Sequence, residues 1–300
     1  MDIKKELFRP GRRVILDSDA FNEADDQFAI AYAALNPNIE LSAVLAAPYT
    51  HGEEGFPEKG TALSYEEIGR VLSLAGRKIP YFMGSRSFMC NTQTPVESPA
   101  ADFLIRSAMS LPEEERLIVC AIGAGTNIAS ALLKCPELAD RLIILWQAGN
   151  APETGATGEY NMRGDICAAQ VIFASPAPLV QIPAYNTASK LYVTVGELRR
   201  RTAGKNKLCD YLYSQLCRYI GAAGDGSDDE AGKIIWDIGI VGLVCSGLGI
   251  LEERERPVIT EDGGYAGCGG NGTFLYCPDL DRNAVFEDMY RCITAERLGI

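Results

Sequence analysis

The sequence is poor in histidine and in long apolar runs. His51 is the single histidine among 300 residues, which excludes most zinc sites and leaves one residue for any Ser-His-Asp or Cys-His chemistry. No uninterrupted apolar stretch is long enough to cross a bilayer, and the first residues lack the apolar core of a signal peptide. We therefore expect a cytoplasmic protein with no membrane partner.

Positive charge is also scarce. The chain has 28 lysines and arginines against 40 aspartates and glutamates, a net charge of −12. Such a surface repels polyphosphate, so a nucleic-acid polymer is excluded as a partner, whereas a small neutral substrate or a cation is compatible. The ten cysteines form no C-x-x-C pair, and several, such as Cys120, lie inside apolar runs. We expect free buried thiols.

The order of apolar runs predicts the fold class. Short β-type runs, many of them apolar throughout, alternate with segments of helical period as far as Ile182, which is typical of a parallel sheet covered on both faces. Helical segments follow, and the tail returns to β-type runs before a closing helix. No linker interrupts the pattern. We predict one α/β domain over residues 1–300, with a mostly parallel, doubly wound sheet and a helical C-terminal part.

The first apolar run ends in an acidic loop. Asp17-Ser18-Asp19 and Asp25-Asp26 place four aspartates within ten residues, where they repel one another unless a cation neutralises them. An all-oxygen cluster favours a hard ion, Ca²⁺ or Mg²⁺. Helix capping would account for Asp25 and Asp26 but not for the pair at 17 and 19. Since ligands of open α/β sheets lie at the carboxyl ends of strands, this loop is a candidate metal site.

Three further segments occur in the order expected of one known family. They are Ile122-Gly-Ala-Gly-Thr-Asn-Ile128, Gly158-Glu159-Tyr160-Asn161 and Ile235-Trp236-Asp237. Together with the acidic loop and its Ala-rich helix, they resemble the landmarks of the inosine-uridine preferring nucleoside hydrolase family. The resemblance implies an N-glycosyl hydrolase that acts on a small-molecule nucleoside in purine salvage. It also implies a homodimer or homotetramer.

The resemblance assigns a role to each matching residue. The implied metal ligands of a Ca²⁺ ion (Mg²⁺ is the less favoured alternative) are Asp19, Asp26, Asp237 and the backbone carbonyl of Ile122. Asp19 would also accept the proton of the attacking water. The implied sugar-binding residues are Asp25, Glu159 and Asn161. Asn150, after the run 142–149, either reaches the sugar or is a plain turn residue.

Two departures from the family pattern affect the mechanism. The loop Ala20–Ala24 is two residues longer than usual, so Asn22 or Glu23 would enter the metal shell or displace a ligand. Trp236 stands where base-nonspecific members have a leaving-group histidine, and purine-specific members have a tryptophan there. Trp236 therefore favours a purine nucleoside, with a core tryptophan as the alternative.

His51 raises a further question. It lies in a loop where the family has an asparagine near the sugar, so either Thr50 or His51 is a substitute for it, or His51 is merely solvated.

The sequence leaves two rival functions open. An Asp-Ser-Asp sequence after an apolar strand is also found in haloacid-dehalogenase-type phosphatases, with Asp17 as the nucleophile, although that reading leaves Asp237 unexplained. The absence of the leaving-group histidine and the longer loop motivate the second rival. It is a family member that binds a nucleoside or ribosyl ligand without hydrolysing it.

Overall fold

The protein is built on a central eight-stranded sheet. The computed structural model describes residues 3–50, 56–154 and 158–295. The strands of this sheet are β1 (Arg13–Ser18), β2 (Glu40–Ala46), β3 (Tyr81–Phe82), β4 (Leu117–Ala121), β5 (Leu142–Gln147), β6 (Leu179–Ile182), β9 (Gly249–Ile259) and β10 (Tyr265–Leu280). A separate antiparallel pair is formed by β7 (Tyr192–Thr194) and β8 (Gly232–Ile234).

The sheet is parallel except at one edge. Its strand order is β3-β2-β1-β4-β5-β6-β10-β9, and only the β9–β10 hairpin is antiparallel. The central strands β4 and β5 are buried at every residue, as their uniformly apolar sequences predict for strands with both faces covered. The predicted doubly wound parallel sheet is confirmed.

Helices cover both faces of the sheet. Those packed in the first core are α2 (Asp26–Leu35), α3 (Pro57–Leu74), α8 (Val195–Thr202), α9 (Lys207–Ile220), α10 (Ile238–Ser246) and α11 (Arg282–Thr294). The second core lies under α4 (Pro99–Met109), α5 (Thr126–Lys134) and α7 (Ile166–Ala174). The short helices α1 (Ile3–Leu7) and α6 (Tyr160–Gly164) complete the set in the described residues. Within those ranges, no helix is both long and apolar enough to cross a membrane.

The topology creates a crevice between β1 and β4. The chain leaves β1 for β2 and β3 on one side, then returns to place β4 and β5 on the other side. At such a switch point the loops after neighbouring strands diverge, which opens a ligand site at the carboxyl ends. The acidic loop follows β1 and Ile122 follows β4, so both lie at this crevice.

Candidate active site

The acidic loop presents carboxylates that its helix does not use. Asp25 occupies the position before α2, yet its side chain makes no capping hydrogen bond. Asp237 stands in the same position before α10 and does not cap that helix either. An aspartate at this position normally accepts a hydrogen bond from a backbone N–H of the first turn. Helix capping therefore does not explain why aspartates occupy these two positions.

Three carboxylates converge at the crevice. One oxygen from each of Asp25, Asp26 and Asp237 lies within 4.8 Å of the others, and all three residues are buried. Asp26 accepts a hydrogen bond from the Ser18 hydroxyl at 2.6 Å. Asp237 accepts one from Nε2 of Gln147 at 2.8 Å. The group thus joins the ends of β1 and β5 to the starts of α2 and α10.

Asp19 lies beside this group but does not join it. Its Oδ2 accepts a hydrogen bond from Nδ2 of Asn22 at 3.0 Å. Its other oxygen faces Gly123, where an added Cβ would come within 2.9 Å of Oδ1. A larger residue at 123 would displace the carboxylate, so the glycine has a steric role here. Of the four aspartates that the resemblance assigns to the site, the structure brings Asp25, Asp26 and Asp237 within 4.8 Å of one another. Metal ligation by Asp19 stays a prediction.

The electrostatics of the group reflect crowding of buried negative charge. Burial raises the pKa of Asp19, Asp26 and Asp237 well above the ordinary value, and the neighbouring aspartates raise it further. Burial also raises the pKa of Asp25, to about 6, with Lys233 as the main opposing influence. Buried carboxylates of this kind lack sufficient positive charge nearby and are stabilised by a proton or a cation.

The carboxylates line a cavity of about 280 Å³. The lining includes the acidic loop, the ends of β4 and β5, α6 and the start of α10. Its members are Asp19, Asn22, Glu23, Asp25, Asp26, Ile122, Gln147, Gly158, Glu159, Tyr160, Asn161, Arg163, Ala184, Tyr185, Trp236 and Asp237. Trp236 is half-buried and forms part of this wall, so the alternative of a core tryptophan is not supported. The indole offers an aromatic face beside the acidic group.

Glu159 and Asn161 shape the opposite wall. The Glu159 carboxylate accepts hydrogen bonds from the backbone N–H groups of Gly149, Asn161 and Met162. Nδ2 of Asn161 donates to the carbonyl of Ile122 at 3.1 Å and to that of Gln147 at 2.9 Å. These bonds fix α6 against the ends of β4 and β5. Both residues line the cavity and hold its wall together, and their role in sugar binding stays a prediction.

Other predicted positions lie elsewhere. Asn150 is buried, accepts a 3.4 Å hydrogen bond from the Tyr185 amide and is not among the described residues that line the cavity. His51 lies outside the described residues. Asp17 is fully buried, and its Oδ1 accepts a hydrogen bond from Nδ2 of Asn127 at 2.8 Å. An inaccessible carboxylate cannot attack a phosphate, so the phosphatase reading is not supported.

Two residues of the site were missed from the sequence. Gln147 ends β5, where the rule that ligands lie at strand ends would have found it. Its Oε1 is buried with no hydrogen-bond partner among the described residues. Lys233 contacts Asp25, but it lies in the short strand β8, which the sequence pattern did not reveal. Only the fold brings it to the acidic loop.

A larger cavity of about 640 Å³ lies between α5, α7 and β9. It is mostly apolar, and no described residue that lines it has an ionisable side chain. Hydrolytic chemistry needs groups that move protons or stabilise charge. The smaller acidic cavity is therefore the candidate active site.

The donor set fits a hard divalent cation. All side-chain donors of the group are oxygens, and Gln147, whose Oε1 is buried with no hydrogen-bond partner among the described residues, lines the same cavity. Oxygen ligands without histidine or cysteine select Ca²⁺ or Mg²⁺ over softer metals. The fold and these donors together define an α/β protein with an acidic cation site at a sheet switch point.

Comparison with known proteins identifies the family. Residues 14–265 match the family model described as inosine-uridine preferring nucleoside hydrolase, and the chain belongs to that family. Its class is therefore that of the N-glycosyl hydrolases. The resemblance read from the four sequence landmarks is confirmed.

Individual relatives are distant in sequence. An uncharacterized protein of Schizosaccharomyces pombe, C1683.06c, is 28% identical over 223 residues, 65% of this chain and 68% of the relative. The non-specific ribonucleoside hydrolase RihC of Escherichia fergusonii is 26% identical over 184 residues, 56% of this chain and 59% of its own length.

Solved structures of related shape cover nearly the whole chain. The plant nucleoside hydrolase PpNRh1 superposes with a TM-score of 0.78 at 20% identity, covering 96% of this chain and 100% of that one. A purine-preferring ribonucleoside hydrolase from Gardnerella vaginalis gives 0.74 at 20% identity, covering 94% and 98%. At this identity the likeness establishes the fold alone.

Proposed function

We propose that this protein catalyses the Ca²⁺-dependent hydrolysis of the N-glycosidic bond of ribonucleosides, with a preference for purines. The observation that carries the proposal is the buried group of Asp25, Asp26 and Asp237, whose oxygens lie within 4.8 Å of one another without capping a helix. Family membership supplies the reaction class. The ion, the base preference and the roles of single residues are part of the proposal.

The proposed metal ligands are Asp19, Asp26, Asp237 and the carbonyl of Ile122. Asp26 and Asp237 each keep one oxygen bonded to a neutral donor, Ser18 or Gln147, which fixes the carboxylate for binding by its other oxygen. A bound divalent cation supplies Lewis acidity there, since it lowers the pKa of water and orients the sugar diol.

The chain's own residues act on the proton and the sugar. Asp19 accepts the proton of the attacking water, and Asp25 accepts a hydrogen bond from a ribose hydroxyl. Glu159 and Asn161 face the sugar from the opposite wall. Cleavage gives the sugar oxocarbenium character, and the surrounding carboxylates stabilise that developing positive charge.

The purine preference rests on the wall beside the leaving group. Trp236 lines the cavity directly before Asp237, and an indole stacks well on the large face of a purine. The name of the Gardnerella hydrolase, purine-preferring, is consistent with such a preference within the fold. Because Trp236 stands where base-nonspecific members of the family have a leaving-group histidine, protonation of the base falls to solvent.

The test is an assay of metal-stripped protein reloaded with Ca²⁺ or Mg²⁺. Inosine, guanosine, adenosine, uridine and cytidine are supplied in turn, and free base and ribose are measured. We expect activity with Ca²⁺, a higher kcat/KM for the purines, and near-complete loss in Asp237→Asn. Tight nucleoside binding without product would favour the non-hydrolysing rival. Sedimentation analysis of the same preparation tests the expected homodimer or homotetramer.

A further inference from the structure

Lys233 is a buried cation directed at the acidic loop. Its side chain is only 7% exposed. The ammonium lies 3.6 Å from Oδ1 of Asp25, forms an ion pair with Glu23 and stands 5.0 Å from the centre of the Tyr219 ring. Lysine is rarely buried unless it is paired. Lys233 meets that condition through two carboxylates from the same loop.

Hydrogen bonds hold the longer acidic loop on two sides. Nδ2 of Asn22 donates to Asp19 at 3.0 Å, and the Tyr160 hydroxyl donates to Oδ1 of Asn22 at 3.3 Å. On the other side Glu23 accepts a hydrogen bond from Lys233. Asn22 and Glu23 lie in the stretch that makes this loop longer than usual. Both are therefore engaged in holding it in place.

Lys233 distinguishes Asp25 from the other two members of the acidic group. Asp25 makes an ion pair, whereas among the described residues neither Asp26 nor Asp237 does. A Ca²⁺ ion bound to the same oxygen of Asp25 would lie about 2.4 Å from it. The ion and the ammonium would then be only about 6 Å apart at most, and they would repel each other strongly in a buried site.

We propose that Lys233 is a positioning residue that keeps Asp25 out of the metal coordination shell and available to a sugar hydroxyl, with Glu23 as its anchor. The inference rests on the proposed function. It accounts for the presence of Asp25 within the carboxylate group even though the family resemblance gives that residue a sugar-binding role. It also assigns a role to the longer loop, because its residue Glu23 holds the Lys233 ammonium beside Asp25.

The first experiment measures Ca²⁺ affinity by calorimetry on the metal-stripped full chain, independently of activity. Lys233→Met keeps the apolar stem and removes the charge, so Ca²⁺ should bind about ten-fold more tightly or better. Glu23→Gln leaves Asp25 as the only carboxylate paired with the lysine charge among the described residues and should weaken binding at least several-fold. Lys233→Arg should resemble the wild type. Lys190→Met, which breaks an exposed pair with Asp279, is the control and should change little.

The second experiment measures kinetics at saturating Ca²⁺. In Lys233→Met the released Asp25 moves toward the ion and no longer serves the sugar, so kcat/KM should fall at least ten-fold while Ca²⁺ affinity rises. Loss of a lysine with a merely structural role would not raise the Ca²⁺ affinity while lowering kcat/KM. Lys233→Arg should restore both values.

The outcomes separate the two proposals. A wild-type chain that binds no Ca²⁺ would overturn the proposed metal-dependent function itself. Wild-type Ca²⁺ binding with unchanged or weaker affinity in Lys233→Met would overturn only the role of the lysine, as would tighter binding without a kinetic change. If Lys233→Met fails to fold, Glu23→Gln still decides, because unchanged affinity in that variant contradicts the proposal.

Discussion

The stability of the metal-free protein should fall as pH rises through the neutral range. The perturbation is removal of divalent ions with a chelator, followed by titration from pH 4.5 to 8. Burial raises the pKa of Asp17 to about 7 and that of Asp25 to about 6, from an ordinary 3.8. The folded state therefore binds these protons more tightly than the unfolded state does.

The sign and the size follow from that difference. A group whose pKa is raised on folding contributes stability that is fully present below its unfolded pKa and lost as pH passes through its folded pKa. A pKa of about 6 instead of 3.8 corresponds to about 3 kcal/mol, and one of about 7 to about 4 kcal/mol. Together these are a large part of the roughly 5–15 kcal/mol that keeps a typical domain folded.

Urea unfolding with chelator at a series of pH values measures the loss. The loss due to Asp17 and Asp25 should occur between about pH 4 and 7, and Asp19, Asp26 and Asp237 should add to it in the same direction. Added Ca²⁺ should restore more stability at pH 8 than at pH 5, because the ion replaces the protons of the acidic group. In Asp17→Asn the share of the loss due to Asp17 should disappear, because an amide does not titrate in this range. The amide oxygen can still accept the hydrogen bond from Asn127. Stability that is flat or rises between pH 5 and 8 would refute the reasoning, as would equal rescue by Ca²⁺ at both ends.

Two substitutions test other parts of the site, and a third tests a buried hydrogen-bond network outside it. Gln147→Leu removes the hydrogen bond to Asp237 and should weaken Ca²⁺ binding about ten-fold by calorimetry; unchanged affinity would mean that the bond does not fix the carboxylate. Trp236→Ala should lower kcat/KM for inosine at least several-fold more than for uridine, and equal losses would contradict stacking on a purine. Asp165→Asn weakens acceptance from the Met89 and Ala168 amides and should lower the free energy of unfolding by about 1–3 kcal/mol. Its Ca²⁺ affinity should stay unchanged, because Asp165 is not part of the acidic group.

The sequence predicted the elements whose signal is local. Uniformly apolar runs gave the buried parallel strands, the strand-end rule singled out the acidic loop, and the family resemblance pointed to Ile122. The predicted bounds were less accurate for helices and strands whose length depends on contacts with distant residues. The sequence pattern predicts a helix near Tyr65–Leu74, whereas α3 begins at Pro57. It predicts a β-type run over 256–260, whereas β9 extends over Gly249–Ile259 because it pairs with β10.

The sequence by itself determined the fold class, the family and a set of oxygen donors, because strand periodicity and motifs are properties of short segments that can be recognised without the fold. The tertiary structure decided which donors meet. It joined Asp25 to Asp26 and Asp237, left Asp19 at the side with Asn22, and brought Gln147 and Lys233 to the group from β5 and β8. Contacts between residues separated by 90 or more positions, such as Gln147 with Asp237, depend on strand order and register, which no local pattern records.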